Sequence, residues 1–291
     1  MSNFLDKYKL IIEEKLYGLL VCENELHKSV FEAMKYSLSV GGKRIRPALV
    51  MEFSRICGGN PDTALSMACA IEMIHTYSLI LDDLPCMDND DFRRGLPSCH
   101  KKFGEDIALL AGDGLLTMAF ETISGTASDN RSDILKCVSI LSQCSGANGM
   151  IGGQVIDLES EGKKVGAEVI TKLNELKTSK LIEASAMLGC AAAGADEEKL
   201  IAAKEYGYNL GIAFQIVDDI LDVIGDEKLL GKPIGSDVEN EKSTFVSILG
   251  LEGAQLLADE YTKKALLALG VFGEDADELK EFSLALLKRD H

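Results

Sequence analysis

Apolar residues recur at helical spacing through most of the chain. The periodic segments are Asn3–Leu20, Glu25–Ser39, Thr63–Leu84, Ile107–Ser124, Ser132–Asn148, Ala167–Ala193, Glu197–Ile224, Thr244–Leu269 and Ala276–Lys288. Regular period-two alternation bounded by hairpin turns is lacking, aromatic residues make up only 6% of the chain and Trp is absent, so strands are not expected. The pattern predicts an all-α protein, a bundle of roughly ten helices. Thr63–Leu84 and Glu197–Ile224 are apolar on most faces, which predicts central rather than surface helices. Breaks fall at Gly58-Gly59-Asn60-Pro61, Asp88–Gly104, Gly125–Arg131 and Gly225–Ser243. None has the length or Pro/Ser richness of an interdomain linker, so residues 1–291 are expected to form one domain.

Composition narrows the partners. A hydrophobic fraction of 46% supplies a sizeable core, and a net charge of −17 argues against nucleic acid or an anionic membrane surface as partner. The eight cysteines are scattered without a C-x-x-C pair, unlike a zinc site or a disulfide framework. They suit small buried hydrophobes in a reducing, cytoplasmic setting. The N-terminal stretch carries acids throughout and no apolar h-region, so a signal peptide is not expected. No run approaches the ~20 apolar residues of a membrane span, so none is expected.

Two aspartate-rich runs stand out within apolar sequence: Asp82-Asp83-Leu84-Pro85-Cys86-Met87-Asp88 and Asp218-Asp219-Ile220-Leu221-Asp222. Carboxylates in apolar surroundings need a partner, and hard oxygen ligands suit Mg²⁺ held jointly with substrate phosphates. His75, Ser78 and Asp82 share one helical stripe, whereas Asp83 lies about 100° round from Asp82. A spacing of six would point Asp88 away in an unbroken helix; Pro85 should end the helix and let a turn bring Asp88 back. In the second run Gln215, Asp218, Asp219 and Asp222 share one face, and like charges there call for a cation.

Basic residues lie near both runs. Arg93 and Arg94 follow the first and can fork onto phosphate oxygens. The loop Gly225–Ser243 follows the second and brings Lys232 and Lys242 as a candidate lid. The turn Gly41-Gly42-Lys43-Arg44-Ile45-Arg46-Pro47 lets backbone and cations approach a diphosphate. His75 lies about 10.5 Å along the helix axis from Asp82, too far to share a metal but suited to a second diphosphate. Lys177 and Thr178 are ordinary helix surface by periodicity alone.

In order along the chain stand GGKRIRP, IEMIHTYSLILDDLPCMDNDDFRRG, AGDGLL, GGQVIDL, KTSKLIEAS, FQIVDDILDVIGD and KST. This set resembles the short-chain trans-prenyl diphosphate synthases, most closely the bacterial type of farnesyl diphosphate synthase, from about Gly41 to Lys242. The resemblance implies the isoprenoid synthase fold, helices around a deep central cavity, usually as a homodimer. It implies that Asp82, Asp83 and Asp88, with Asp218, Asp219 and Asp222, hold Mg²⁺ (or Mn²⁺ in its place) bridging to an allylic diphosphate. It places Lys43, Arg46, His75 and Arg94 at isopentenyl diphosphate, and Arg93, Lys177, Thr178, Gln215, Lys232 and Lys242 around the allylic substrate. The family often has His where this chain has Leu81, so the hydrogen bonding there must differ.

The implied reaction ionises dimethylallyl or geranyl diphosphate, joins the cation to the isopentenyl double bond and releases diphosphate, the favoured acceptor of the lost proton. Product length is set in the family at the fifth and fourth positions before Asp82, here Tyr77 and Ser78; a bulky Tyr77 fits a fifteen-carbon product. Geranyl or geranylgeranyl diphosphate is the alternative product. A class I terpene cyclase fits less well, because DDILD is the synthase form of the second motif. A non-catalytic partner subunit commonly loses an aspartate motif, and both are present. A di-iron bundle needs several Glu-x-x-His pairs, and only Glu72–His75 qualifies.

Overall fold

The computed structural model describes residues 2–128, 131–224 and 243–287. The order is α1 (Ser2–Leu19), a 3₁₀ turn (Glu25–His27), α2 (Lys28–Ser39), α3 (Ile45–Ile56), α4 (Pro61–Asp82), β1 (Phe92–Arg93), β2 (Leu96–Pro97), α5 (Cys99–Phe103), α6 (Glu105–Ser124), α7 (Arg131–Ser145) and α8 (Met150–Ser160). It continues with α9 (Ala167–Asn174), a π-helical turn (Glu175–Ser179), α10 (Lys180–Ala192), α11 (Glu197–Ile224), α12 (Phe245–Ala268), a 3₁₀ segment (Leu269–Ala276) and α13 (Asp277–Leu287). The all-α expectation holds apart from the two-residue antiparallel pair β1–β2 inside the Asp88–Gly104 break. Three helices were not expected: α3, which starts within the basic turn, the short α5 inside the Asp88–Gly104 break, and α8, whose apolar pattern is interrupted by Gly152-Gly153.

Local sequence explains the ends of α4. Asn60 accepts hydrogen bonds from the Asp62 and Thr63 backbone N–H groups, and Pro61 takes the first helical position, where its missing N–H is harmless. The helix stops at Asp82, two residues before the expected Leu84, as Pro85 requires. Its side chains are buried nearly all round, with Met67, Ile71, Met73 and Ile74 at 0% exposure. Helices α3, α6 and α10 pack around it, and α10 in turn carries α11, which packs on α12.

Among the described residues, two helices are long and apolar enough to cross a membrane by length and composition, Pro61–Asp82 and Glu105–Ser124, contrary to the expectation from sequence. Burial inside the bundle accounts for α4. The outer face of α6 stays uncovered, with Leu109 and Leu110 exposed at 47% and 53%.

Candidate active site

A cavity of about 460 Å³ opens between α3, α4, α6, α8 and the π turn. Arg46, His75, Asp82, Gln154, Lys177 and Thr178 form its polar part; Tyr77, Leu81, Leu116, Met150, Val155 and Leu158 are among its other walls. A second space of about 170 Å³ adjoins it at Lys177 and Thr178 and is lined by Asp157, Gln215 and Asp219.

The first aspartate run ends α4 at the cavity. The Asp88 N–H donates to the Asp82 carbonyl at 2.9 Å, so the turn after Pro85 does bring Asp88 back to Asp82. Gln154 Nε2 donates to Asp82 Oδ1 at 2.5 Å, and Lys177 Nζ lies 3.9 Å from the same oxygen. Burial pushes the Asp82 carboxyl above its ordinary pKa; Lys177 opposes the shift and Asp88 adds to it. Lys177 also contacts Asp157 Oδ2 at 2.5 Å. Burial disfavours the lysine's charge, but Asp82 and then Asp157 outweigh it, and the ammonium is held above the usual lysine range.

Asp83 is placed differently from Asp82. It is 2% exposed, and Arg93 forks onto its carboxylate with Nε at 2.8–2.9 Å and Nη2 at 2.5 Å. The pair borders a small crevice beside α2 rather than the main cavity. Neighbouring helical residues point about 100° apart, so Asp82 and Asp83 cannot both face the cavity. Asp83 is therefore paired with Arg93 and positions it.

On the second run, Asp219 Oδ1 accepts from Gln215 Nε2 at 3.0 Å and its Oδ2 from the Phe245 N–H at 2.9 Å. The carboxylate thus sits at the N-terminus of α12, where negative charge is favoured. Gln215 Oε1 accepts from Thr178 Oγ1 at 3.3 Å, which completes a chain from α12 through α11 to the π turn. Asp218 is half-buried, and Asp222 is 1% exposed.

Basic residues gather beside Asp82. Arg46 Nη1 lies 3.5 Å from His75 Nε2. Burial drives the His75 pKa well below its ordinary value, reinforced by Arg46, Arg94, Arg93 and Arg44. The neutral imidazole therefore accepts from the guanidinium. Arg46 Nε is buried without a partner, an orphaned donor aimed at no protein acceptor. The Asp218 charge also reaches Arg46, after those of Glu72 and Arg94. Arg94 is exposed on the rim against Gly42, where a Cβ would come within 2.6 Å of Arg94 Nη1. Lys43 is exposed on the same turn. Buried Arg44 anchors that turn on Glu72 (2.5 Å) and Glu13 (3.2 Å).

The π turn places Lys177 and Thr178. Sequence alone leaves them as ordinary surface of one long helix, but a turn of π geometry redirects them into the cavity. A Cβ at Gly153 would collide with the Lys177 backbone, and one at Gly211 would meet Ser179 Cα at 2.5 Å. The turn is wedged between α8 and α11.

Tyr77 is 4% exposed and its hydroxyl is buried without a partner. Ser78 Oγ donates back to the His75 carbonyl at 2.8 Å. Leu81 lies on Gly112 of α6, where a Cβ would come within 3.0 Å of its Cδ2, so apolar packing occupies the position where the family often has His. Lys232, Lys242 and the lid expected over Gly225–Ser243 fall outside the described residues except Ser243. Sequence reasoning missed Gln154 and Asp157 as site residues; their i, i+3 spacing on an apolar-patterned segment was the available signal.

Among the described residues, no group of three or more His, Cys, Asp or Glu side chains converges as a ready-made metal site. The half-buried Asp82 carboxylate, with Asp88 beside it, nevertheless suits a cation whose remaining oxygen ligands arrive with a substrate.

Residues 27–280 match the Polyprenyl synthetase family. The chain is 42% identical to the farnesyl diphosphate synthase of Bacillus subtilis (strain 168), covering 100% of this chain and 99% of that protein. It is 43% identical to the geranylgeranyl diphosphate synthase of Cyanophora paradoxa, covering 91% and 90%. A crystal structure of an FPP/GFPP synthase from Zymomonas mobilis superposes with a TM-score of 0.88 at 34% identity, covering 98% of both chains. The chain belongs to the polyprenyl synthetase family.

Proposed function

We propose that the protein condenses isopentenyl diphosphate with dimethylallyl and geranyl diphosphate, head to tail, to give mainly farnesyl diphosphate and free diphosphate. The observation that carries this reading is one cavity with Asp82, Lys177, Arg46 and His75 in its polar part and apolar walls reaching Tyr77. Asp82 and Asp88 on one side and Asp218, Asp219 and Asp222 on the other would hold Mg²⁺, Asp219 from the wall of the adjoining space. When bound, Mg²⁺ supplies positive charge that offsets the charge on the leaving diphosphate oxygens.

The protein's own groups do the rest. Lys177, kept charged by Asp82 and Asp157, meets the allylic diphosphate as its C–O bond breaks. Arg46, with its unpartnered Nε, and neutral His75 hold the isopentenyl diphosphate. Arg94 and Lys43 guard the entrance to that position. Thr178 and Gln215 turn neutral dipoles toward the allylic cation, stabilising it without trapping it. The apolar walls keep water from that cation. The isopentenyl double bond attacks it, and the released diphosphate takes the proton. Arg93 is held on Asp83 and acts from the rim.

The farnesyl assignment rests on Tyr77 at the cavity wall. The test incubates the protein with Mg²⁺, isopentenyl diphosphate and each allylic primer and weighs the products. Mainly fifteen-carbon product is expected; a twenty-carbon product would move the assignment to geranylgeranyl diphosphate, and no condensation would sink it. We further place the protein in the cytoplasm as a homodimer. Free thiols at all eight cysteines support a reducing compartment, and the uncovered apolar face of α6 supports pairing with a second copy.

A further inference from the structure

Away from the cavity, two cysteines meet across the α3–α10 packing. Cys57 follows the last turn of α3, and Cys190 lies in the last turn of α10. Their sulfurs are 3.7 Å apart. The helix backbones approach closely here: a Cβ at Gly189 would meet Val50 O at 2.5 Å and Phe53 Cβ at 2.6 Å. Below the pair, a Cβ at Gly59 would meet Ala193 Cβ at 2.7 Å. Two cysteine side chains thus span a gap already closed by glycine on both sides. Cys57 is partly exposed, whereas Cys190 is 0% exposed. An oxidant can reach one thiol, and the second is waiting behind it.

We propose that Cys57 and Cys190 form an oxidation site, at which a peroxide converts the two thiols into one intramolecular disulfide. The Cys57 thiolate attacks the peroxide O–O bond; this gives a sulfenic acid at Cys57 and, with hydrogen peroxide, one water. The Cys190 sulfur then displaces the sulfenic oxygen as a second water and forms the S–S bond. Two thiols and one hydrogen peroxide give one disulfide and two waters; the two electrons pass from sulfur to oxygen.

The contrast with the other cysteines is physical. The Cys190 contact, against the opposing effect of burial, holds the Cys57 thiol below its ordinary pKa. Burial pushes Cys69, Cys137 and Cys144 up to about 12; Cys190 is also raised, first by the Cys57 contact and then by burial, so it acts only as the resolving thiol, after oxidation of Cys57 has removed that contact. Cys22 and Cys86 are exposed, but among the described residues no other thiol pair is in contact. Cys57 lies about 16 Å along α3 from Arg46, so the linkage joins core helices without entering the cavity.

The test treats the full chain with hydrogen peroxide, blocks remaining thiols with N-ethylmaleimide, and maps digested peptides by mass before and after dithiothreitol. The expected result is a Cys57–Cys190 cross-linked peptide that dithiothreitol removes, formed at lower peroxide than any oxidation at Cys22 or Cys86. Cys57→Ser should lose the cross-link and keep Cys190 as a thiol. Recovery of wild-type Cys57 as the maleimide adduct, as an over-oxidised acid without the cross-link, or joined to another cysteine would overturn the proposal. The wild-type map decides the matter even if the variant folds poorly.

Discussion

At Asp82 burial disfavours the charge that the proposed chemistry needs; Lys177 offsets part of that cost, and the proposed Mg²⁺ would offset the rest. Asp82→Ala or Asp218→Ala should therefore lower kcat by about a hundred- to a thousand-fold or more, measured as product formed from isopentenyl and allylic diphosphates. Near-normal turnover in either variant would remove that run from the mechanism. Tyr77→Ala should enlarge the cavity and lengthen the product, read by mass; unchanged chain length would take Tyr77 out of the floor. His75 gives a pH signature. Its folded pKa lies well below 6.5, so as pH falls below that value the unfolded chain takes up the proton first. Stability present above the ordinary value is lost as pH falls toward the depressed one. Between about pH 7.5 and about pH 5.5 the urea midpoint of the wild type should fall more than that of His75→Gln. Equal falls would show that His75 does not titrate this way.

At the scale of elements, the π turn carries the consequence. Lys177 and Thr178 reach the cavity because one turn adopts π geometry between glycines of α8 and α11. Gly153→Ala should push that turn away, costing about 1–3 kcal/mol by denaturant midpoint and lowering kcat as well. Gly18→Ala, inside α1 where a Cβ meets nothing within 4 Å, is the control and should lower neither. If the two variants behave alike, close packing is not what holds the turn. The ends of α4 were legible because their signals are local: Asn60 and Pro61 start the helix and Pro85 stops it. Helix α8 was hidden because Gly152 and Gly153 lower helix propensity, and only packing against the π turn shows why they are there.

At the scale of the whole molecule, the two aspartate runs lie at the end of α4 and on α11, distant in sequence, and among the described residues no three metal-ligating side chains converge. Mg²⁺ alone should leave the melting temperature nearly unchanged, whereas Mg²⁺ with inorganic diphosphate should raise it, read by thermal denaturation. A large shift with Mg²⁺ alone would reveal a preformed metal site. Chelation should abolish turnover while the far-ultraviolet circular dichroism stays helical. The apolar face of α6 belongs to this scale too. Leu110→Asp should shift the sedimentation coefficient from dimer to monomer, and an unchanged value would place the interface elsewhere.

The sequence by itself determined the helical class, the central place of α4, the two aspartate runs and the return of Asp88, because each follows from helical periodicity or from a proline's backbone. It also placed Asp83 about 100° from Asp82, so that the two carboxylates point in different directions. Only the tertiary structure decided that Asp83 holds Arg93, that Asp219 caps α12, that Lys177 is redirected by a π turn, and that Gln154 and Asp157 join the site. Each of these depends on what an adjacent helix brings against a side chain, and spacing along one helix contains no information about its neighbours.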